Sequence, residues 1–563
     1  MSRTLALAVL VCLSLGATAL VAADTDASPQ GTPGDVARPT LAQPTLAGDP
    51  ENETAPRIVA VAPNPEASGD RGEYVVVAFP RPTALGNWTL GDDEGTASLP
   101  DRTVSGRVAF TADPDSLREG VADRVLSVSD FPALANSGET VVLAEGGRVV
   151  HRFSYGRAPS AETWTGDRWV PYGATDFAPR TTGSTSVRAF LTPDTRVPLD
   201  TIRAADERVL LAGYTFTSAR VTDALVAAAE RGVTVRVLVD GGPVGGTSER
   251  QVARLDRLVR AGVSVRVLGG PAARYDFHHA KYAVADDRAL VLTENWKPSG
   301  SGGRANRGWG VELRGPSSAS LAAVFTADWT AHDTVPWESF RDGVEPVLAD
   351  PATGEYPARI DAETFAVDRV TVLVAPDNAE ARLTRLVRQA NHSVRVEQMA
   401  VSSVETPLVR AAIAAARNGT RVRILLSSAW YAEEENARVA AQLDRLAARE
   451  GLDLDAKLVD PDGRFEKIHA KGVVVDRRHV VVGSVNWNRH SLRENREVAV
   501  VLTGDEIGRY YADAFDSDWD GTREIPLILL IAAPVAAGGV AVLLSRKVRF
   551  TTGDECVKPV DTL

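Results

Sequence analysis

Hydrophobic and polar positions change texture along the chain. From about 57 to 158 the apolar residues fall in short alternating runs (RIVAVAPNP, GEYVVVAF, GRVAF, RVLSV, ETVVLAEGGRVVHRFSY) divided by turn residues. A period of two predicts half-buried strands, and Gly146-Gly147 between two runs predicts a hairpin turn. No long helical period interrupts them, so a β-sandwich over 55–160 is expected. From about 180, apolar runs such as RVLLAGYTF, VTVRVLVD and VSVRVLGG alternate with amphipathic stretches such as VTDALVAAAERG and SERQVARLDRLVRAG. That alternation predicts βαβ units and a sheet rich in parallel pairs. The same order then recurs as SVRVEQMAV, PLVRAAIAAARNG, TRVRILLSS, NARVAAQLDRLAARE and LDLDAKLVD. The expected fold class is therefore multidomain: a β-sandwich followed by a duplicated, bilobal α/β domain. Its two repeats, 165–350 and 351–522, should pack about a pseudo-twofold axis.

The ends carry a different signal. Residues 1–23 combine Arg3, an apolar run and an Ala-rich close, the pattern of a secretory signal peptide, with an N-terminal anchor as the alternative. Residues 24–54 are rich in Pro, Thr, Ala and Gly and predict a flexible linker. Residues 525–544 hold no charge over a span-length stretch, and Arg546, Lys547 and Arg549 follow. They predict one C-terminal transmembrane helix with a cytoplasmic tail at 545–563. The expected location is the cell membrane, single-pass, with the folded body extracytoplasmic.

Composition narrows the chemistry. Acidic residues outnumber basic ones 74 to 62, a net charge of -12, which argues against coating nucleic acid by overall charge. The two cysteines, Cys12 and Cys556, lie outside the expected body, so it has no disulfide framework and no cysteine-bound zinc. No H-E-x-x-H pair occurs, and no metal or cofactor is expected. Only seven of the 62 basic residues are lysine, so a lysine at a fixed place in both repeats marks a need for a compact ammonium.

Such lysines exist. Arg274-Tyr275, His279-Ala280-Lys281 and Asp286 match Arg464-Phe465, His469-Ala470-Lys471 and Asp476 at an offset of 190. Phe325-x-x-Asp328-Trp329 and Phe515-x-x-Asp518-Trp519 match at the same offset. Asn295-Trp296 pairs with Asn486-Trp487, and Asn306-Arg307 with Asn495-Arg496, after one-residue slips. Two H-x-K-x4-D motifs, the Gly483-Ser484-x-Asn486 element and the duplication resemble the phospholipase D superfamily over about 180–520. The resemblance implies phosphodiester cleavage or exchange through a phosphohistidine. One histidine would attack phosphorus and the other protonate the leaving alcohol. Lys281, Lys471, Asn295 and Asn486 would hold the non-bridging oxygens, and Ser484 would donate to phosphate or shape a turn. Glu497 would brace its own half's histidine, His469. The first half has Thr293-Glu294 in place of Gly483-Ser484 and Gly308 in place of Glu497, so His279 is expected to lack a carboxylate unless Glu294 or Glu312 supplies one. On that reading His469 is the general acid and His279 the nucleophile. Asp286 and Asp476 are expected to be structural, His278 a bystander lining the cleft, and Trp296, Trp487, Trp329 and Trp519 packing residues.

Ala62-Pro63-Asn64-Pro65, Gly69 to Val75, Trp88-Thr89-Leu90 and Leu134-Ala135-Asn136 resemble the lamin-tail domain, which implies an immunoglobulin-like sandwich whose binding partner the residues do not name. Asp92, Asp93 and Glu94 are expected to form a solvated turn. Residues 464–496 carry eight bases and three acids, and 274–307 six and four, so a basic cleft on an acidic body suits a phosphate-bearing substrate. A phospholipid is the first expectation, nucleic acid cleaved by an extracellular nuclease the alternative, and a non-catalytic surface adhesion protein the third.

Overall fold

The computed structural model describes residues 55–521 except 66–71, 93, 118–119, 176, 271–272, 302 and 349–353. The expected signal peptide, linker, transmembrane helix and cytoplasmic tail lie outside the described residues. Among the described residues no helix is long and apolar enough to cross a membrane.

The N-terminal strands form two sheets. One runs in the order Trp169–Pro171, Glu162–Trp164, Arg57–Asn64, Tyr74–Ala84, Thr103–Thr111 and Arg124–Ser127; the other in the order Thr96–Ser98, Trp88–Gly91, Glu139–Glu145 and Arg148–Tyr155. Alternate residues of each point inward, so Val75, Val77 and Phe110 meet Trp88, Leu90 and Val141 in one core. Gly146 and Gly147 turn the last hairpin with φ of 55° and 81°, a pair of left-handed conformations that glycine adopts without strain. The Asp92 carboxylate accepts the N–H groups of Glu94 and Gly95, both at 2.7 Å, which makes this segment a self-capped turn. The first sheet runs on to Pro171, beyond the 160 expected from strand alternation.

Each half of the duplicated domain contributes a mixed sheet. In the first, Arg208–Gly213, Thr234–Asp240 and Ser264–Leu268 are parallel, and the hairpin Tyr282–Ala285/Arg288–Leu292 joins antiparallel beside them. In the second, Ser393–Gln398, Arg421–Leu426 and Leu454–Leu458 are parallel, and Lys471–Val475/His479–Gly483 takes the hairpin place. The parallel strands are those joined by helical crossovers, such as Ala219–Glu230 and Glu249–Arg260, whose first turns Ser218 and Ser248 cap through Val221 N–H (3.3 Å) and Gln251 N–H (3.2 Å). The sheets face one another across a shared core containing Val284, Val311, Val474 and Val500, with separate cores beneath the outer helices. An edge strand crosses in each direction. Glu363–Val367 pairs with Thr185–Thr192 of the first sheet, and Arg180–Thr182 with Arg369–Ala375 of the second.

Two buried arginines cross the seam in opposite directions. Arg496 of the second half binds Asp328 of the first through Nε (3.1 Å) and Nη2 (2.9 Å). Arg307 of the first half binds Asp518 of the second through Nε at 2.7 Å, and Arg464 reinforces Asp518 at 3.1 Å. Both aspartates sit at the ends of corresponding helices, Pro316–Trp329 and Asp505–Asp520, where Phe325 stacks on Trp329 and Phe515 on Trp519. The sandwich is fastened to the second half through Glu162, which is 2% exposed and accepts from Arg489 (2.9 Å) and Arg493 (2.8 Å). Arg489 caps, and Arg493 lies within, the π-helical turn His490–Glu494, a rare helix form that often marks functional segments.

Removing one member of a buried pair leaves an uncompensated charge, which costs about 3–5 kcal/mol. Asp328→Ala is accordingly expected to lower the unfolding free energy by about that amount in urea titration. A loss below about 1 kcal/mol, the range of an exposed pair, would rule out a seam held by this contact.

Candidate active site

The two motif histidines are registered by backbone from the opposite half. His279 N–H donates to Arg496 O at 2.9 Å, and His469 N–H donates to Arg307 O at 2.8 Å. Each seam arginine thus places its guanidinium in the opposite half and its carbonyl on that half's histidine. The motif aspartates do a different job. Asp286 accepts the N–H groups of Asp206, Glu207 and Arg208 at 2.8–3.0 Å, and Asp476 those of His392 and Ser393 at 2.7 and 2.9 Å. Each fixes the entry to the first parallel strand of its own half.

The side-chain pairing of the histidines differs from the sequence expectation. His279, expected to lack a carboxylate, lies with Nδ1 2.8 and 3.0 Å from the two oxygens of Glu497. Glu497 therefore braces the other half's histidine, not His469, and the premise that separated the two roles is overturned. His469 faces Glu294, with Nδ1 3.5 Å from Oε1. Glu312 is engaged elsewhere, accepting from Thr201 Oγ1 at 2.6 Å. The crossing is a consequence of the fold, because the strand that starts at Glu497 leads out of the segment paired with residues 277–279.

Glu294 makes up for Gly308. A Cβ placed on Gly308 would lie 2.3 Å from Glu294 Cγ and 2.8 Å from Oε1, so the Glu294 side chain fills the space where a residue-308 side chain would begin. In the second half the roles of the two positions are exchanged, with buried Val485 corresponding to Glu294 and Glu497 to Gly308. Each carboxylate has its own asparagine: Asn306 Nδ2 donates to Glu294 Oε2 at 3.2 Å, and Asn495 Nδ2 to Glu497 Oε1 at 3.1 Å. The Thr293 departure is also neutral in effect. Thr293 Oγ1 accepts Trp309 N–H at 2.9 Å, as Ser484 Oγ accepts Val498 N–H at 3.1 Å. Ser484 is thus a strand-joining hydroxyl.

The lysines lie beside their histidines. Lys281 Nζ donates to His279 O at 2.5 Å and stands 5.3 Å over the Tyr214 ring. Lys471 Nζ reaches His469 O (2.8 Å), Thr293 O (3.3 Å) and His469 Nδ1 (3.3 Å). The side-chain oxygens of Asn295 and Asn486 are buried and meet no protein partner among the described residues. Tyr214, which sat unremarked in an apolar run, packs its ring edge-on to His279 at 4.7 Å. His278 does not line the cleft: it is fully buried, its N–H donates to Asp240 at 2.6 Å, and the second-half counterpart is Ile468. Trp296 and Trp487 are core residues, and Trp329 and Trp519 carry arginines over their faces at 5.1 and 5.4 Å.

Electrostatics separate the two halves. Burial pushes the His279 imidazolium down to about 4 against the pull of Glu497. Burial also opposes the Glu497 charge, yet His279 and Lys281 hold that carboxyl below its usual range. An ionised Glu497 accepts a hydrogen bond from Nδ1–H of His279, which leaves Nε2 with its lone pair. His469 is held differently. Its Nδ1 lies between a donor, Lys471, and an acceptor, Thr293 O at 3.2 Å, so either tautomer finds a partner. Burial lifts Glu294 to about 7 despite Lys471. Burial likewise lowers Lys471 to about 8. Among the described residues one group of three potential metal ligands converges, Asp276, His490 and Glu494, with ligand atoms within 4.8 Å. Hydrogen bonds that His490 donates to the Asp276 and Glu494 carboxylates raise it to about 10, so its own proton bridges the two. The packing at Gly308 generates a direct test. Gly308→Ala should displace Glu294, reduce turnover at least tenfold and lower stability by about 1–3 kcal/mol, read by steady-state kinetics and thermal melting. Unchanged turnover would remove Glu294 from the site.

Comparison with known proteins fits this geometry. The family model described as cardiolipin synthase, phospholipase D-like domain matches residues 199–329 and 383–519, one segment per half. Mitochondrial cardiolipin hydrolase from Homo sapiens is 27% identical over 144 residues, covering 26% of this chain and 52% of that protein. The Mus musculus protein is 25% identical over 146 residues, covering 25% and 60%. The chain thus spans about half the length of the curated relatives it matches. Among solved structures, phosphatidylserine synthase from Haemophilus influenzae Rd KW20 aligns with a TM-score of 0.44 at 14% identity, over 62% of this chain and 86% of that one. Nuc from Salmonella typhimurium, a phospholipase D family member, aligns with a TM-score of 0.23 at 22% identity, over 27% and 93%. With a matched segment and a complete His-x-Lys pair in each half, the region from 199 to 519 belongs to the phospholipase D superfamily.

Proposed function

We propose that this chain is a phosphodiesterase that cleaves or exchanges the phosphodiester bond of phospholipids through a phosphohistidine on His279. The observation that carries the reading is the unequal bracing of the two histidines. Glu497 fixes His279 in one tautomer, with Nε2 free to attack. Attack forms the Nε2–P bond and breaks the P–O bond to the leaving alcohol, whose oxygen takes a proton from Nε2 of His469. Water or an acceptor alcohol then gives its proton to the same nitrogen as its oxygen attacks phosphorus and releases His279. His469, able to hold its Nδ1 proton against Thr293 O or accept from Lys471, suits a group that must be acid and then base. Lys281, Lys471, Asn295 and Asn486 offer charge and amide groups to the non-bridging oxygens.

Homology to cardiolipin hydrolases supports a phosphatidyl substrate. The basic cleft is equally compatible with a nuclease of the same superfamily. The location expected from the two ends of the chain, a membrane-held enzyme with its body outside the cytoplasm, is part of this proposal and keeps the cleft near lipid.

Purified full chain offered a phosphatidyl lipid and single-stranded DNA separates the readings: lipid turnover alone is expected, DNA turnover alone favours the nuclease, and neither favours a binding protein. His469→Asn should lower turnover by about 10²–10⁴-fold, the usual worth of a positioned acid–base group. Quenched reactions with labelled phosphate should trap the label on His279, and label on His469 would reverse the roles. The pH dependence follows from the shifts. Burial and the charges of Lys471 and Lys281 hold His469 well below its usual value, so its protonation needs an ionised Glu294, present above about 7, while Lys471 keeps its charge below about 8. The kcat/KM profile should therefore rise through pH 7 and fall through pH 8, and Glu294→Gln should abolish the acidic limb.

A further inference from the structure

Among the described residues the exposed large apolar side chains are Val149, Val244, Val347, Leu348 and Trp430. All but Val149 lie on loops beside the histidine cleft. Val244, 73% exposed, tips the turn that Gly246 N–H closes on Pro243 O at 2.8 Å. Its own N–H donates to the hydroxyl of Tyr214 at 2.5 Å, and the Tyr214 ring touches His279. Val347 runs beside this turn, donating its N–H to Thr247 O at 3.0 Å, and leaves Leu348 85% exposed. In the second half Trp430, 74% exposed, packs edge-on to Tyr431 at 5.6 Å. The Tyr431 ring holds Lys467 at 5.1 Å, and its hydroxyl is raised by burial and by the charge of Glu294, the partner of His469. The two tips follow corresponding strands, Thr234–Asp240 and Arg421–Leu426, so the duplication sets one on each side of a single cleft.

We infer that Val244, Leu348 and Trp430 are the lips by which the cleft seats on the surface of a zwitterionic phospholipid membrane. This rests on the phospholipid reading above and adds how such a substrate is reached. The histidine side chains are only 11–12% exposed, so a phosphodiester in a bilayer must be drawn to the mouth of the cleft. Apolar tips on both sides of that mouth remove their own surface from water as they meet lipid, and tryptophan favours the head-group boundary. Charge sets the kind of surface: Glu433, Glu434 and Glu435, all exposed, follow Trp430 closely and repel an anionic one.

The test uses the full chain with phosphatidylcholine vesicles whose acyl chains carry bromine, a contact quencher of tryptophan. Residues 522–563 contain no tryptophan, so the chain end adds no signal. The wild type should be quenched and Trp430→Ala should lose at least half of that quenching; replacing half the lipid with phosphatidylglycerol should weaken it. The triple variant Val244→Ser, Leu348→Ser, Trp430→Ser should turn over long-chain phosphatidylcholine vesicles at least tenfold more slowly, with monomeric short-chain phosphatidylcholine turned over as before. Equal quenching with and without Trp430, equal vesicle turnover, or quenching of Trp430 by oligothymidylate in place of brominated lipid overturns the assignment. Absence of turnover on either lipid form would count against the phospholipid reading, and the quenching difference would still decide the seating.

Discussion

The reciprocal burial of Arg307 and Arg496 is the constraint on which the site depends. A guanidinium withdrawn from water needs a carboxylate and satisfied hydrogen bonds, and the two aspartates that meet this need stand on helices of the opposite half. The halves therefore cannot separate without exposing two unpaired charges in an apolar seam. The same two residues hold the backbone of the histidines, so the contact that closes the fold also anchors both motif histidines at the seam. Preorganisation of this kind fixes the histidine backbone in the segments that run directly into the strands Tyr282–Ala285 and Lys471–Val475.

Within that frame the duplication preserves function without preserving positions. The carboxylate that serves His279 rises from the start of a strand, and the one that serves His469 comes from the turn before the asparagine. Gly308 opens the space for the second, and buried Val485 stands at the position in the other half that corresponds to Glu294. What is common to the halves is a carboxyl group beside each Nδ1, together with an asparagine that orients it. The two pairs are unequal in distance, 2.8 Å at His279 against 3.5 Å at His469, though both are buried.

Much of this was legible in the chain. Period-two alternation marked the sandwich, recurrence of elements marked the duplication, and the shortage of lysine made Lys281 and Lys471 conspicuous. The failures have physical causes. The pairing of Glu497 with His279 depends on which half supplies each seam strand, and sequence order carries no record of that. Tyr214 belonged to an apolar run whose period was already explained by burial in a strand. Asp328, Asp518, Asn306 and Asn495 did recur at matched offsets, so the repeat held their signal. They went unassigned because a buried partner across the seam cannot be told from an ordinary polar residue without the fold. His278 misled by adjacency: it is fully buried and makes an isolated bridge to Arg496, while its neighbour His279 faces Glu497 and Tyr214.

The sandwich is wired to the same segment. Glu162 offers a single buried carboxylate to Arg489 and Arg493, and four residues after the π-helical turn's first comes Glu494, followed at once by Asn495, Arg496 and Glu497. For the evolutionary history of the chain this has a plain meaning. The N-terminal module cannot be shuffled like a bead on a string. Any domain spliced in its place would remove the buried acid they share, leaving Arg489 to Glu494 and Arg493 to Glu380.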